Sequence, residues 1–370
     1  MNATVKRILK YVGRVLLVLL VTVLILAGTV YLVVYKICNG PSPAAKAEFG
    51  SSLLESGQMK FVAKLVLSKE EIDEINKLNE RKEMDVSVLD KNMIHIEKND
   101  NTSDPDDKKG KVDKEEVFDE NGVRYEEISG SAFLAKILII KDPSQVAVGT
   151  TYPWGEYGKV LDQVVKGAGA IGGVNGGLYE STGNKGGQPL GVVVQNGQIT
   201  CNRPQSNKGL YLIGMNNDNY LIIKNIEGMN TESMKKYVAE EGIRDCVCFQ
   251  EESSDSNNHF VPLVINGEGR ELNGQGSGAN PRTAIGQRAD GAIILLVTDG
   301  RGANGHLGAT AADLIAIMLE YGAVNAANLD GGSSSCMYYN GEYLQTSTTF
   351  YYQNDSWRLP TTFVIMPKKN

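Results

Sequence analysis

Four short clusters in the second half of the chain join hydrogen-bonding side chains to glycines. They are Gly172-Gly-Val-Asn175-Gly176-Gly177-Leu-Tyr-Glu180, Asn280-Pro-Arg282-Thr-Ala-Ile-Gly286, Thr298-Asp299-Gly-Arg301 with His306 shortly after, and Asn328-Leu-Asp330-Gly331-Gly332-Ser333-Ser334-Ser335. Glycines let a ligand come close to backbone N–H groups, which together can hold an anion. Arginine offers a planar fork for phosphate or carboxylate. An aspartate beside a sugar carbon can act as nucleophile or base. Taken singly, each cluster also reads as a turn, because Asp-Gly and Asn-Gly are common turn dipeptides.

Several other chemistries are excluded by pattern. The glycine spacing around Asn175 is not that of a dinucleotide fingerprint, no Gly-Lys-Ser/Thr follows to make a phosphate loop, and Gly-x-Ser-x-Gly is absent. No two histidines stand at metal-ligand spacing, and Cys246-x-Cys248 has no second pair to complete a zinc site. These cysteines read as buried apolar residues. Of the three histidines, His306 stands beside a cluster, whereas His95 and His259 fall in polar stretches.

The clusters need strands to position them. Phe133–Ile140 and Ala292–Val297 are apolar runs suited to buried strands. Asn196-Gly197, Asn266-Gly267 and Asn340-Gly341 each sit between strand-like runs and predict hairpins. Thr310, with Asp313 three positions on, caps a helix to about Tyr321 whose stripe is Leu314, Ile317, Met318 and Tyr321. Residues 292–332 therefore read as strand, helix, strand, with an Asp at the C-terminal end of each strand. Ligands commonly bind at that end.

The N-terminal part is different. Val15–Tyr35 is 21 residues without a charge, roughly 30 Å as a helix and enough to cross a bilayer. Lys6, Arg7, Lys10 and Arg14 precede it and only Lys36 follows closely, which predicts a cytoplasmic N-terminus and an external remainder. The run is too long for a cleaved leader. Residues 37 to about 60 read as a spacer, and Ser68-Lys-Glu-Glu71 opens a short helix. Glu97–Glu120 holds ten acidic and five basic residues, too few apolar groups to order itself. The expected division is 1–36 tail and anchor, 37–120 juxtamembrane helix and acidic linker, and 121–370 catalytic domain. The expected fold is α+β: a strand-rich mixed sheet domain with a few helices, after one transmembrane helix and a short helical or disordered stalk. Over 370 residues the net charge of −7 argues against a nucleic-acid binder, and five cysteines are too few for a disulfide scaffold.

The order of the clusters, continued by Arg358-Leu-Pro-Thr-Thr-Phe363, resembles the phosphodiester glycosidase family over about residues 123–367, and the whole chain resembles its membrane-anchored bacterial members. Here Ser333 follows Gly331-Gly332, Leu178-Tyr179 follow the Asn-Gly-Gly, and Phe249 leads into a polar insertion, Gln250–His259, where relatives differ. The resemblance implies hydrolysis of a sugar-1-phosphodiester at the anomeric carbon of a cell-surface, exopolysaccharide or teichoic-type glycan. It implies Arg282 on the phosphate with Arg301 or Arg358 as second cation, and Asp330 as nucleophile or base paired with Asp299, Glu180 being a further candidate. Asn175, Gly176, Gly177, His306, Gly331, Gly332, Ser333 and Ser334 are expected on sugar hydroxyls or phosphate oxygens. No cofactor is called for. The carboxylates could hold Ca²⁺, though no ligand spacing demands it. The competing expectation is a non-catalytic module binding surface glycan phosphate.

Overall fold

The computed structural model describes residues 3–56, 59–96, 116–251, 259–349 and 354–368. It divides into two compact units, Met1–Leu78 and Asn79–Asn370.

The first unit is helical: α1 (Ala3–Cys38), α2 (Pro43–Glu55), α3 (Lys60–Val66) and α4 (Lys69–Leu78). One stretch of α1, Thr4–Cys38, is long and apolar enough to cross a membrane. The expected spacer holds α2, because the Ser42 hydroxyl caps it, Pro43 suits its first turn, and Leu53 and Leu54 pack inward. At α4 the Ser68 hydroxyl accepts from Glu71 N–H while the Glu71 carboxylate accepts from Ser68 N–H, the expected reciprocal cap. Val34, Cys38, Leu53, Leu54, Ala63, Val66, Leu67 and Ile75 form the unit's apolar core.

The second unit contains three sheets. One is seven-stranded, in the order β1 (Val123–Ser129), β2 (Leu134–Ile140), β13 (Ile293–Thr298), β12 (Thr283–Arg288), β14 (Ala323–Asn328), β10 (Pro262–Ile265) and β11 (Glu268–Gly269). Another runs β16 (Glu342–Gln345), β15 (Met337–Tyr339), β4 (Gly172–Asn175), β17 (Thr361–Ile365) and β3 (Val146–Thr150). The third runs β6 (Gln198–Arg203), β5 (Gly191–Gln195), β9 (Ile243–Gln250), β7 (Leu210–Asn216) and β8 (Leu221–Asn225). The pairings among these strands are antiparallel. One large apolar core takes side chains from all three sheets, among them Leu138, Leu295, Val174, Phe363, Ile213 and Phe249. The opposite face of the seven-stranded sheet is covered by α7 (Ala311–Glu320), and the other two sheets carry α5 (Leu161–Gly167) and α6 (Thr231–Glu240). The chain is thus α+β, as the strand-rich pattern implies.

The three Asn-Gly hairpins form between β5 and β6, β10 and β11, and β15 and β16, with Asn and Gly both at positive φ. Thr310 and Asp313 make the reciprocal cap of α7. The second unit begins at Asn79, well before the boundary expected from the acidic stretch. The run 79–96 is bound to it by backbone groups: Lys82 N–H donates to Glu271 O at 3.1 Å and His95 N–H to Ala289 O at 2.7 Å, while Val86 enters the core. Most of that stretch, residues 97–115, lies outside the described residues. The five cysteines are all buried and free.

Candidate active site

Antiparallel register assembles the site. β13 and β14 both pair with β12, which lies between them. They therefore run in the same direction, and Asp299 and Asp330 leave the sheet at the same end. β12 runs the other way, so Arg282, just before its first residue, is at that end too. The Leu329 N–H to Thr283 O bond of 2.8 Å and the Thr298 N–H to Arg282 O bond of 2.9 Å fix the three loops together.

Asn175, at the end of β4, ties the second sheet to this point. It is fully buried; its amide N–H donates to the Asp330 carbonyl at 2.5 Å, and its oxygen accepts from the Thr283 hydroxyl at 2.7 Å and Cys336 N–H at 3.2 Å. Its neighbour Gly177 is required for packing: a Cβ there would stand 2.3 Å from the Cys248 carbonyl oxygen. A Cβ at Gly176 would stand 2.7 Å from the Thr361 hydroxyl oxygen. Close strand approach thus accounts for both glycines.

Asp330 is half-buried as a residue, yet burial of its carboxyl is the largest influence on its titration and pushes it up to about 6. The Ser334 hydroxyl, the charge of His259, the Gly331 N–H and the Arg301 guanidinium pull in the other direction. Gly331 N–H reaches the carboxylate at 3.0 Å, and the Ser334 hydroxyl also meets the buried Tyr179 hydroxyl at 2.8 Å. A carboxyl raised to about 6 can exchange its proton close to neutral pH.

Asp299 is fully buried, and its two oxygens are taken. Leu134 N–H donates to Oδ1 at 2.7 Å, Asn304 Nδ2 donates to Oδ2 at 3.2 Å, and His306 Nδ1 lies 2.8 Å from Oδ2. The carboxylate thereby fixes the ring and leaves Nε2 for proton exchange. His306 keeps 30% of its side chain exposed. Of the two aspartates expected as a pair, Asp299 is committed to Leu134, Asn304 and His306, whereas Asp330 is acted on by Ser334, Gly331, His259 and Arg301.

Two of the three candidate arginines, Arg282 and Arg301, differ similarly. Arg282 is buried: its Nη2 donates to Gly278 O at 2.8 Å and the Ser277 hydroxyl at 3.2 Å, and its Nε to Ala309 O at 3.3 Å. Its guanidinium carbon lies 5.0 Å from the centre of the Phe260 ring, and that of Arg81 lies 5.2 Å from the same ring. Arg301 is exposed, at positive φ, with Nε donating to Asn280 Oδ1 at 3.3 Å and Nη1 to the Ser333 hydroxyl at 3.0 Å. Gly332 is at φ +62°, and a Cβ there would come within 2.7 Å of Arg301 Nη2. The Gly331-Gly332-Ser333 turn is shaped to receive this guanidinium.

Glu180 and Arg358 have partners of their own. Glu180 is exposed, with its carboxylate 3.9 Å from Arg203. Arg358 lies over the Tyr157 ring at 5.2 Å, and its N–H donates to Asn184 at 2.9 Å. Among the described residues, no hydrogen bond or ion pair joins either to Asp330. Also among them, no three His, Cys, Asp or Glu side chains converge as metal ligands.

Three residues near the site escaped the sequence reading. His259 closes the polar insertion, lies with its ring tilted at 49° to that of Phe249 with centroids 5.1 Å apart, and acts on Asp330 by its charge; residues 252–258 of that insertion lie outside the described ones. Asn280 and Tyr179 were visible only as members of their clusters, with no local sign that they hold Arg301 and Ser334.

The phosphodiester glycosidase family model matches residues 168–366. That is more than half of the chain, and the chain belongs to this family, whose glycosidase-type hydrolysis acts on phosphodiester-linked sugars. The SPbeta prophage-derived uncharacterized protein YomE of Bacillus subtilis (strain 168) is 43% identical over 65 residues, 18% of this chain and 10% of that protein. The match thus spans about a tenth of that relative's length. The catalytic domain of zebrafish N-acetylglucosamine-1-phosphodiester alpha-N-acetylglucosaminidase, auto-inhibited by its pro-peptide, superposes with a TM-score of 0.51. It is 17% identical, over 66% of this chain and 82% of that one, a likeness of fold.

Proposed function

We propose that the protein is a membrane-anchored hydrolase, with its second unit outside the cell, that cleaves a sugar-1-phosphodiester of a surface glycan between the anomeric carbon and the bridging oxygen. The observation that supports this most is the Asp330 carboxyl, raised to about 6 in a loop that also receives the exposed Arg301 guanidinium. A phosphate monoester is a good leaving group, so cleavage needs little help from an acid. It needs a cation on the phosphate and a carboxylate at the sugar carbon.

The parts then take these roles. Arg301 pairs with the phosphate as the C–O bond breaks and that bond's electron pair leaves with the bridging oxygen. Asp330, ionised, attacks the anomeric carbon. In the second step water replaces Asp330, and His306 Nε2 takes the water proton. Asp299 holds His306 in position. Arg282 braces the Ser277–Asn280 turn that carries Asn280. A module that only binds has no use for a carboxyl raised to about 6 in a loop that receives a guanidinium.

The test is to incubate the purified full chain, in detergent, with an alkyl phosphodiester of N-acetylglucosamine 1-phosphate in ¹⁸O-water. The label is expected in the sugar, with retained configuration. Label in the phosphate would show P–O cleavage and overturn the reading. Inverted product would move Asp330 from nucleophile to the base that activates water. No turnover on a panel of sugar-1-phosphodiesters, with binding retained, would leave the glycan-binding module.

A further inference from the structure

The short helix α3, Lys60-Phe-Val-Ala-Lys-Leu-Val66, has two unlike faces. Ala63 and Val66 are buried against Val34, Cys38, Leu53 and Ile75. Phe61 and Leu65, one turn apart on another face, are 62% and 63% exposed. Lys64 is exposed between them. Two large apolar side chains held in water on one small helix need an occupant for that face.

The position of α3 along α1 says what that occupant is. The uncharged run of α1 ends at Tyr35, and Lys36 follows. Asn39 Nδ2 donates to Val66 O at 3.1 Å and to Tyr35 O at 3.2 Å, and Val34 and Cys38 lie in the same apolar cluster as Ala63 and Val66. Asn39 is four residues past Tyr35, roughly 6 Å at the helical rise. If the run fills the bilayer core, α3 is therefore held at the depth of the lipid headgroups. A helix with Phe and Leu on one side and Lys beside them is suited to that layer, burying its apolar face about 5–10 Å into the boundary. Lysine stems reach past such a face to water.

We propose that α3 is an interfacial helix, with Phe61 and Leu65 inserted into the lipid boundary beside the C-terminal end of α1. This rests on the reading of α1 as a membrane anchor. It makes the N-terminal unit a seat fixed at two points on the bilayer.

The experiment uses the full chain in phosphatidylcholine/phosphatidylglycerol vesicles. Phe61→Cys and Leu65→Cys are labelled with a nitroxide, with Asp73→Cys on the exposed face of α4 as reference. The native thiols are buried, and the two substituted side chains contribute no core packing. Vesicle flotation reports the anchor separately. In floating protein, labels at 61 and 65 should collide with oxygen several-fold more than with a water-soluble nickel chelate, and the label at 73 should show the reverse. Equal nickel access at all three sites would overturn the proposal. Spin–spin broadening at 65 would assign the face to a second copy and overturn it too. Protein that does not float would remove the anchor reading and this proposal with it.

Discussion

Two aspartates end neighbouring-but-one strands with the same signature, an apolar run followed by Asp-Gly, and the fold treats them in opposite ways. Asp299 is surrounded by donors: a backbone amide, an asparagine and a histidine. Its charge is satisfied and its oxygens are occupied. Asp330, a half-buried residue, keeps a carboxyl that burial raises to about 6, with fewer donors on it. The contrast shows that a strand-end Asp-Gly marks a place, while the groups around it decide whether its oxygens are occupied.

The largest effect should come from Asp330→Asn. Turnover is expected to fall by at least about 10³-fold, in line with loss of a covalent or acid–base group. Stability should move the other way. A carboxyl raised in the folded state binds its proton more tightly there, so stability falls as pH rises from about 4 to about 6 and is flat above. The asparagine variant lacks this cost, and its Tm should exceed the parent's at pH 7.5, with the gap closing near pH 4. Activity of the parent should rise through pH 6. A variant with turnover within about threefold of the parent would move the reacting role away from Asp330.

Asp299→Asn should lose both properties, about 2–3 kcal/mol of stability from unmatched buried hydrogen bonds and roughly 10²-fold in turnover. His306→Gln should lose turnover to a similar degree with Tm nearly unchanged. Equal Tm losses in the two variants would mean that the Asp299–His306 pair is part of the scaffold only.

The arginines sharpen the same comparison on a smaller scale. Arg301→Lys keeps charge but not the fork, and should raise KM about tenfold with little change in melting. Arg282→Lys should lower Tm by several degrees, because Gly278 O, the Ser277 hydroxyl and Ala309 O lose a buried donor. A Tm-neutral Arg282→Lys with a raised KM would restore Arg282 to the phosphate. The smallest effect belongs to Glu180→Gln, within about threefold of the parent in turnover, since its exposed pairing with Arg203 is weak.

What was legible in the sequence was local. Asn-Gly between apolar runs named three hairpins, Thr310 and Asp313 named a helix start, and the strand-end clusters named the end of the sheet where Arg282, Asp299 and Asp330 meet. What was not legible depends on contacts far apart in sequence. Leu134 N–H and Asp299 are 165 positions apart, and no spacing rule predicts that this amide occupies the carboxylate. Burial of Arg282 depends on Ser277, Gly278 and Ala309 closing over it. The domain start at Asn79 depends on Arg81 reaching Phe260 and on Lys82 meeting Glu271, while composition alone saw polar residues leading to an acidic stretch. Long-range register decides such cases, and the chain carries no local sign of it.

The five buried, unpaired thiols have a consequence for how the folded protein meets a reductant. Burial raises those of Cys246, Cys248 and Cys336, which leaves little thiolate for exchange. The folded protein therefore has no disulfide to form, and its thiols are shielded from exchange once the fold has closed over them. Once folded, the protein should have the same Tm with and without reductant, and a large drop under reductant would show that two of these thiols pair.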